Sequence, residues 1–161
     1  MTSPVKIWLS AAFLPVYRCG GWASVRVSDG QRSGLAGGER NTTASRVALS
    51  GLVAALRDLP PGAVVDVRTT SPELAPFAAV IASLGTQTPA AAPEDDLDLW
   101  ARIIAASAGR RLSLVRTPVD PAAPTAFAHA WAELARDKAK ATGAFTSAIP
   151  KPNLAKVQGL G

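Results

Sequence analysis

The chain has 161 residues, 48% hydrophobic and 18% charged, which excludes a disordered polyelectrolyte and fits one packed domain burying roughly two thirds of its unfolded surface. A formal charge of +5 and a pI near 10.0 favour anionic partners, nucleic acid first among them. Cys19 is the only cysteine and His129 the only histidine, so an internal disulfide and a Cys/His metal site are excluded, and a reducing, cytoplasmic setting is expected. Residues 7–16 are largely apolar behind Lys6, but Pro15 interrupts the run and no cleavage pattern follows. Neither a leader nor a membrane span is expected.

In chain order, residues 5–9 read as an apolar strand ending in Ser10, and residues 11–20 as a loop closed by Gly20-Gly21. Residues 22–27 alternate as a second strand. Ser28-Asp29-Gly30 is a hairpin turn, because Asp-Gly tolerates the positive φ that such turns need. Residues 31–38 form the return strand, expected at an edge because Gly34 and Gly37 weaken it. A helix over 43–59 follows, with Thr42, Thr43 and Ser45 as capping hydroxyls. Its apolar stripe is Leu49, Leu52, Val53 and Leu56, and Pro60-Pro61-Gly62 stops it. Residues 63–69 make a strand and 72–84 a helix opened by Pro72 and Glu73.

Residues 85–93 are an uncharged linker. The acidic run from Glu94 to Asp98 then opens a helix expected to bury Leu97, Trp100, Ile103 and Ile104, with an i,i+4 pair between Asp98 and Arg102. A last strand (112–116), a Pro-rich loop and a final helix from Thr125 carrying Phe127, Trp131 and Leu134 complete the domain. Residues 143–161 form a tail without expected regular structure. It holds Phe145, Ile149, Leu154, Val157 and Leu160 and is suited either to pack back on the domain or to dock on a protein partner. The fold class is α/β: a mixed five-stranded sheet, made of a three-strand antiparallel meander plus two parallel strands, with helices on its faces.

Five short motifs in this order resemble the type-1 ribonuclease H family over residues 4–142. Gly20-Gly21-Trp22-Ala23 is similar to the family's Gly-Gly-aromatic entry to its second strand. Thr42-Thr43-Ala-Ser-Arg46-Val-Ala-Leu49 resembles its Thr-Thr-Asn-Asn-Arg-Met-Glu-Leu, and Thr69-Thr70-Ser71 its Thr-Asp-Ser. Asp98-Leu99-Trp100-Ala-Arg102 matches Asp-Leu-Trp-x-Arg, and Ala132-Glu133-Leu134-Ala135 falls on Asp-Glu-Leu-Ala. The resemblance implies a domain over 1–142, ribonuclease H-like in fold, followed by the tail.

That family hydrolyses the RNA strand of RNA–DNA hybrids with two divalent cations held ~4 Å apart by carboxylates. At the positions the resemblance assigns to those carboxylates this chain has Ser10, Ala48, Thr70 and Ala132, and Pro118 lies near the family's mobile histidine. Neutral hydroxyls cannot offset the repulsion between two hard cations. The expectation is therefore a domain without hydrolytic activity and without a metal or other cofactor. Mg²⁺ enters only in a residual-nuclease alternative, with Asp120 nearest the old site and Asp66, Glu133, Asp95, Asp96 and Asp98 as more distant carboxylates.

The leading expectation is binding of structured nucleic acid, hybrid or duplex, without cleavage. Thr42, Thr43 and Arg46 are candidate phosphate donors at the helix entry, and Arg116, Lys138 and Lys140 add charge. In the blander reading Thr42 and Thr43 only cap the helix and Arg46 is a solvated face residue. The family's basic, Trp-containing handle is absent, its place taken by the linker at 85–93. A protein-interaction scaffold using the emptied cleft or the tail is the alternative from another class.

Overall fold

In the computed structural model, which describes residues 4–160, alternation along β1 (Val5–Leu14) divides the core between two faces of one sheet. Val5, Ile7 and Leu9 pack beneath α1 (Ala44–Ala55), whereas Trp8 packs beneath α4 (Pro124–Thr142). β2 (Cys19–Ser28) and β3 (Gln31–Glu39) continue β1 as an antiparallel meander, and β4 (Val64–Thr69) and β5 (Arg111–Arg116) run parallel to it. A sixth strand, β6 (Phe145–Ala148), pairs antiparallel with β3, giving the order β5-β4-β1-β2-β3-β6.

The α1 face is completed by α2 (Ala78–Ser83) and α3 (Leu97–Ser107). Trp100 of α3 is buried against Phe77, the rings meeting edge-to-face at 5.2 Å. On the other face α4 turns small residues inward: Ala128, Ala132, Ala135 and Ala139 are all buried. A Cβ at Gly21 would collide with the α4 backbone at Ala132, Ala135 and Arg136, so this glycine is what lets helix and sheet touch.

Several expectations are corrected by long-range pairing. The sheet has six strands, not five, because the tail supplies β6. β3 is consequently interior rather than an edge, and its glycines serve close approach: a Cβ at Gly37 would strike the indole of Trp22. Residues 11–14 extend β1 instead of looping, since Leu14 pairs with Cys19 across a tight turn in which Arg18 takes φ 50°.

The expected helix over 72–84 is a single 3-10 turn, Ala75–Phe77, leading into the short α2. Pro76, which has no N–H to donate, accounts for the break. α1 ends at Ala55, ahead of the expected Leu59. Leu97 and Ile104 of α3 are 59% and 43% exposed, and Leu99 with Ile103 takes the inward positions. The residues expected on the final helix also shift outward: Leu134 is exposed, while Phe127 and Trp131 pack at the margin of the α4-side core.

The tail is regular rather than irregular. After β6, α5 (Lys151–Leu154) folds back, and Ile149, Leu154 and Val157 are buried with Trp8, Val25 and Ala36. Of the two roles expected for it, packing on the domain is the one the structure displays. These apolar side chains are engaged within their own chain.

Candidate nucleic-acid interface

Ser10 lies on β1 and Thr70 immediately follows β4, its neighbour in the sheet. Their hydroxyls hydrogen-bond to each other at 2.6 Å, and the Thr70 N–H donates to the Leu9 carbonyl at 3.1 Å. Ser10 is fully buried, so this bond satisfies a hydroxyl cut off from water. Ala48 and Ala132 are also fully buried, but on α1 and α4, which cover opposite faces of the sheet. Of the four positions, the structure joins only Ser10 and Thr70 by a direct bond.

At the entry to α1, Thr43 is the N-cap, its Oγ1 accepting from the Arg46 N–H at 3.1 Å. Thr42 is buried and its Oγ1 has no hydrogen-bond partner. Arg46, a third exposed, is engaged in an ion-pair network. Its guanidinium grips both Asp98 carboxylate oxygens, at 3.0 and 2.7 Å, and reaches Asp96 at 3.0 Å. The i,i+4 pair expected between Asp98 and Arg102 is thereby replaced by a long-range one. Beside it lies a cleft of about 560 Å³ to which Thr43 and Ser45 contribute, lined on its other side by Glu94, Asp95 and Asp96. Three carboxylates there oppose a phosphate.

The Arg46 hydrogen bonds hold the Asp98 carboxyl down at about 2, against an ordinary 3.8, and push the Arg46 guanidinium above its usual value. A carboxyl whose folded value is depressed stabilises the fold fully above its unfolded value and loses that contribution as pH falls through the folded one. Between pH 4 and pH 2 the wild-type denaturant midpoint is expected to fall more steeply than that of Asp98→Asn. Parallel curves for the two proteins would contradict the pair's contribution. The effect is modest because Asp98 is well exposed.

A second basic surface forms where the β1–β2 turn meets the C-terminal end of α4. Arg40 donates to the Ala139 and Lys140 carbonyls at 3.0 and 2.7 Å, satisfying groups in the last turn of that helix. The Lys140 ammonium lies 3.7 Å from the centroid of the Tyr17 ring, and that of Lys138 lies 4.4 Å from the Phe145 ring. Tyr17 is 58% exposed, and Arg18 beside it is also exposed. None of Arg18, Arg40, Lys138 and Lys140 has a carboxylate partner among the described residues. Sequence reasoning singled out Lys138 and Lys140 but missed Tyr17, Arg18 and Arg40. The aromatic-basic pair Tyr17-Arg18, shortly after Pro15, was the available signal. Arg116 is exposed at the end of β5, on the opposite flank of the sheet from β3 and β6.

No protein-family model matches the chain, and no curated protein matches its sequence. Solved structures do match. The N-terminal RNase H domain of rv2228c from Mycobacterium tuberculosis, solved as a fusion with maltose binding protein, superposes with a TM-score of 0.57 at 19% identity, covering 87% of this chain and 97% of that one. LC11-RNase H1, solved in complex with an RNA/DNA hybrid, gives 0.59 at 20% identity over 84% and 98%. LC9-RNase H1, a type 1 RNase H with the type 2 active-site motif, gives 0.59 at 18% over 91% and 79%. The fold is ribonuclease H-like.

A ribonuclease H-like fold raises the question of whether these residues would hold a divalent cation pair. They do not fit one. The Ser10 and Thr70 hydroxyls are committed to each other, and Ala48 and Ala132 offer no donor. Among the described residues, no group of three or more His, Cys, Asp or Glu side chains is placed to hold a metal. Three of the other carboxylates have local partners. Asp120 accepts from the Ala122 N–H at 2.9 Å in the turn before α4, Glu133 faces His129 and Arg136, and Asp66 lies 3.5 Å from Arg68. Among the described residues, no helix of this ribonuclease H-like chain is long and apolar enough to cross a membrane.

Proposed function

We propose that this ribonuclease H-like protein binds nucleic acid through its backbone and does not hydrolyse it. The observation that carries the reading is a contrast in charge. At the α1 entry Arg46 is cancelled by Asp96 and Asp98, whereas Arg18, Arg40, Lys138 and Lys140 gather beside Tyr17 and Phe145 with no carboxylate paired to them among the described residues. Cations interleaved with accessible rings suit phosphates and bases together. The hydrogen bond between Ser10 and Thr70 supports the absence of hydrolysis, since it occupies with neutral hydroxyls two positions where the family resemblance expects carboxylates. That LC11-RNase H1 was solved with an RNA/DNA hybrid accords with a nucleic-acid ligand.

The test is a fluorescence-anisotropy titration of the whole protein with labelled hybrid, duplex and single-stranded oligonucleotides over a salt series, run beside a hybrid cleavage assay with Mg²⁺ or Mn²⁺. Expected are salt-sensitive binding and no turnover. Lys138→Ala/Lys140→Ala is expected to lower the salt slope by about 1–2. Absence of salt-sensitive binding at micromolar protein would sink the binding reading. Turnover that disappears in Asp120→Ala would establish the nuclease alternative instead.

A further inference from the structure

Phe145 stands at the boundary between the two faces of the sheet. On the α4 side its ring carries Lys138 and shares a small cleft with Trp131. On the α1 side it lines a different cleft, of about 370 Å³, together with Trp22, Ser50, Arg57 and Arg102. Arg57 and Arg102 also line the adjoining cleft of about 550 Å³, whose apolar wall includes Leu56 and Ala106.

Both arginines are exposed, and neither has a carboxylate partner among the described residues, because Arg46 has taken the Asp98 that lies one turn before Arg102. Two acids flank these clefts. Glu39 accepts from the Ser50 hydroxyl at 3.0 Å, and Asp58 lies beside Arg26, whose guanidinium is held below its ordinary value by burial, an effect that carboxylate partly offsets. The unpaired cations therefore continue from Arg18, Arg40, Lys140 and Lys138, past Phe145 at the start of β6, to Arg57 and Arg102 on the other face.

We infer that this surface is one continuous track for a flexible single strand of nucleic acid, with Arg57 and Arg102 holding the phosphates that have passed round the end of the β3–β6 pair. The inference rests on the nucleic-acid reading above and narrows its ligand class. A duplex, with a persistence length of about 50 nm, does not follow a path that leaves one face of a small sheet and returns along the other. A single strand does, and Tyr17 and Phe145 give its bases rings on which to stack.

The experiment is an anisotropy comparison between a labelled oligo-deoxythymidine of about 15 nucleotides and a blunt duplex of the same length, using the full chain. The single strand is expected to bind about tenfold tighter. Arg57→Ala/Arg102→Ala is expected to weaken it about tenfold and to lower its salt slope by about 1.4, from two contacts at ~0.7 each. Arg57→Lys/Arg102→Lys is expected to retain most of the affinity. Arg68→Ala, which removes the same charge from β4, is expected to change little. Duplex binding as tight as single-strand binding would overturn the inference. So would single-strand binding indifferent to Arg57→Ala/Arg102→Ala, and in either case non-hydrolytic binding still stands. Failure of the unaltered protein to bind any oligonucleotide would remove the broader reading as well.

Discussion

Ending the chain after Thr142 is expected to destabilise the domain by on the order of 5 kcal/mol, as three buried aliphatic side chains lose their contacts at roughly 1.5–3 kcal/mol each, discounted for burial already present in the unfolded chain. The side chains are Ile149, Leu154 and Val157, exposed by only 3%, 3% and 6%. Their loss would also bare Trp8, Val25 and Ala36 on the α4 side and strip β3 of its outer partner. Domains of this size have only about 5–15 kcal/mol in hand, so the truncated protein would be marginal or unfolded at room temperature. Urea denaturation followed by circular dichroism measures this directly. A truncated protein with an unchanged midpoint and slope would mean that the tail is an appendage, and would return it to the pool of partner-binding segments. Within the full-length chain, Leu154→Ala gives a graded check, with an expected loss of about 2–5 kcal/mol.

The second large effect is at Ala48. Replacing it with glutamate, the residue at that place in the family motif, is expected to cost about 3–5 kcal/mol instead of moving the protein toward catalysis. Ala48 is fully buried in the apolar cluster with Leu9, Leu49 and Leu52, where a carboxylate would lose its hydration. Burial pushes such a carboxyl above its ordinary ~4.3, so the variant's deficit is smallest near pH 4 and grows as pH rises and the unfolded state gains by ionising. Ala48→Gln introduces similar bulk without the charge and separates the two contributions, since its deficit does not depend on pH. Mg²⁺ is expected to rescue neither variant. A Mg²⁺-dependent recovery of Ala48→Glu stability would show that the neighbouring groups can complete a metal site after all.

Where the family resemblance expects carboxylates, Ser10 and Thr70 share a neutral hydrogen bond, and Ala48 and Ala132 are closely packed. Each arrangement is consistent with a dry, well-packed site. The same economy appears at the α1 entry, where the cationic residue of a family-like motif is held in a bidentate pair by the acidic start of α3. The charge left over for a ligand lies elsewhere, around the β1–β2 turn, the end of α4 and the α1–α3 clefts.

The sequence by itself determined the meander, the α/β class and the order of most elements, because hydrophobic periodicity and turn residues act over a few positions. Asp29-Gly30 set the first hairpin, and Thr43 capped the first helix as its hydroxyl requires, although that helix ends at Ala55, ahead of Pro60-Pro61-Gly62. Tertiary structure alone decided what depends on partners far along the chain. Gly34 and Gly37 read as weak strand residues until β6 and Trp22 closed on them. Arg46 read as a candidate phosphate donor or a solvated face residue, and its pairing with Asp96 and Asp98, some fifty positions away, was not legible. The tail read as irregular because its apolar residues follow no clear period, yet they match the shape of the sheet face left bare beside α4. A side chain's periodicity is local, whereas the partner that neutralises or buries it is fixed only when the chain folds.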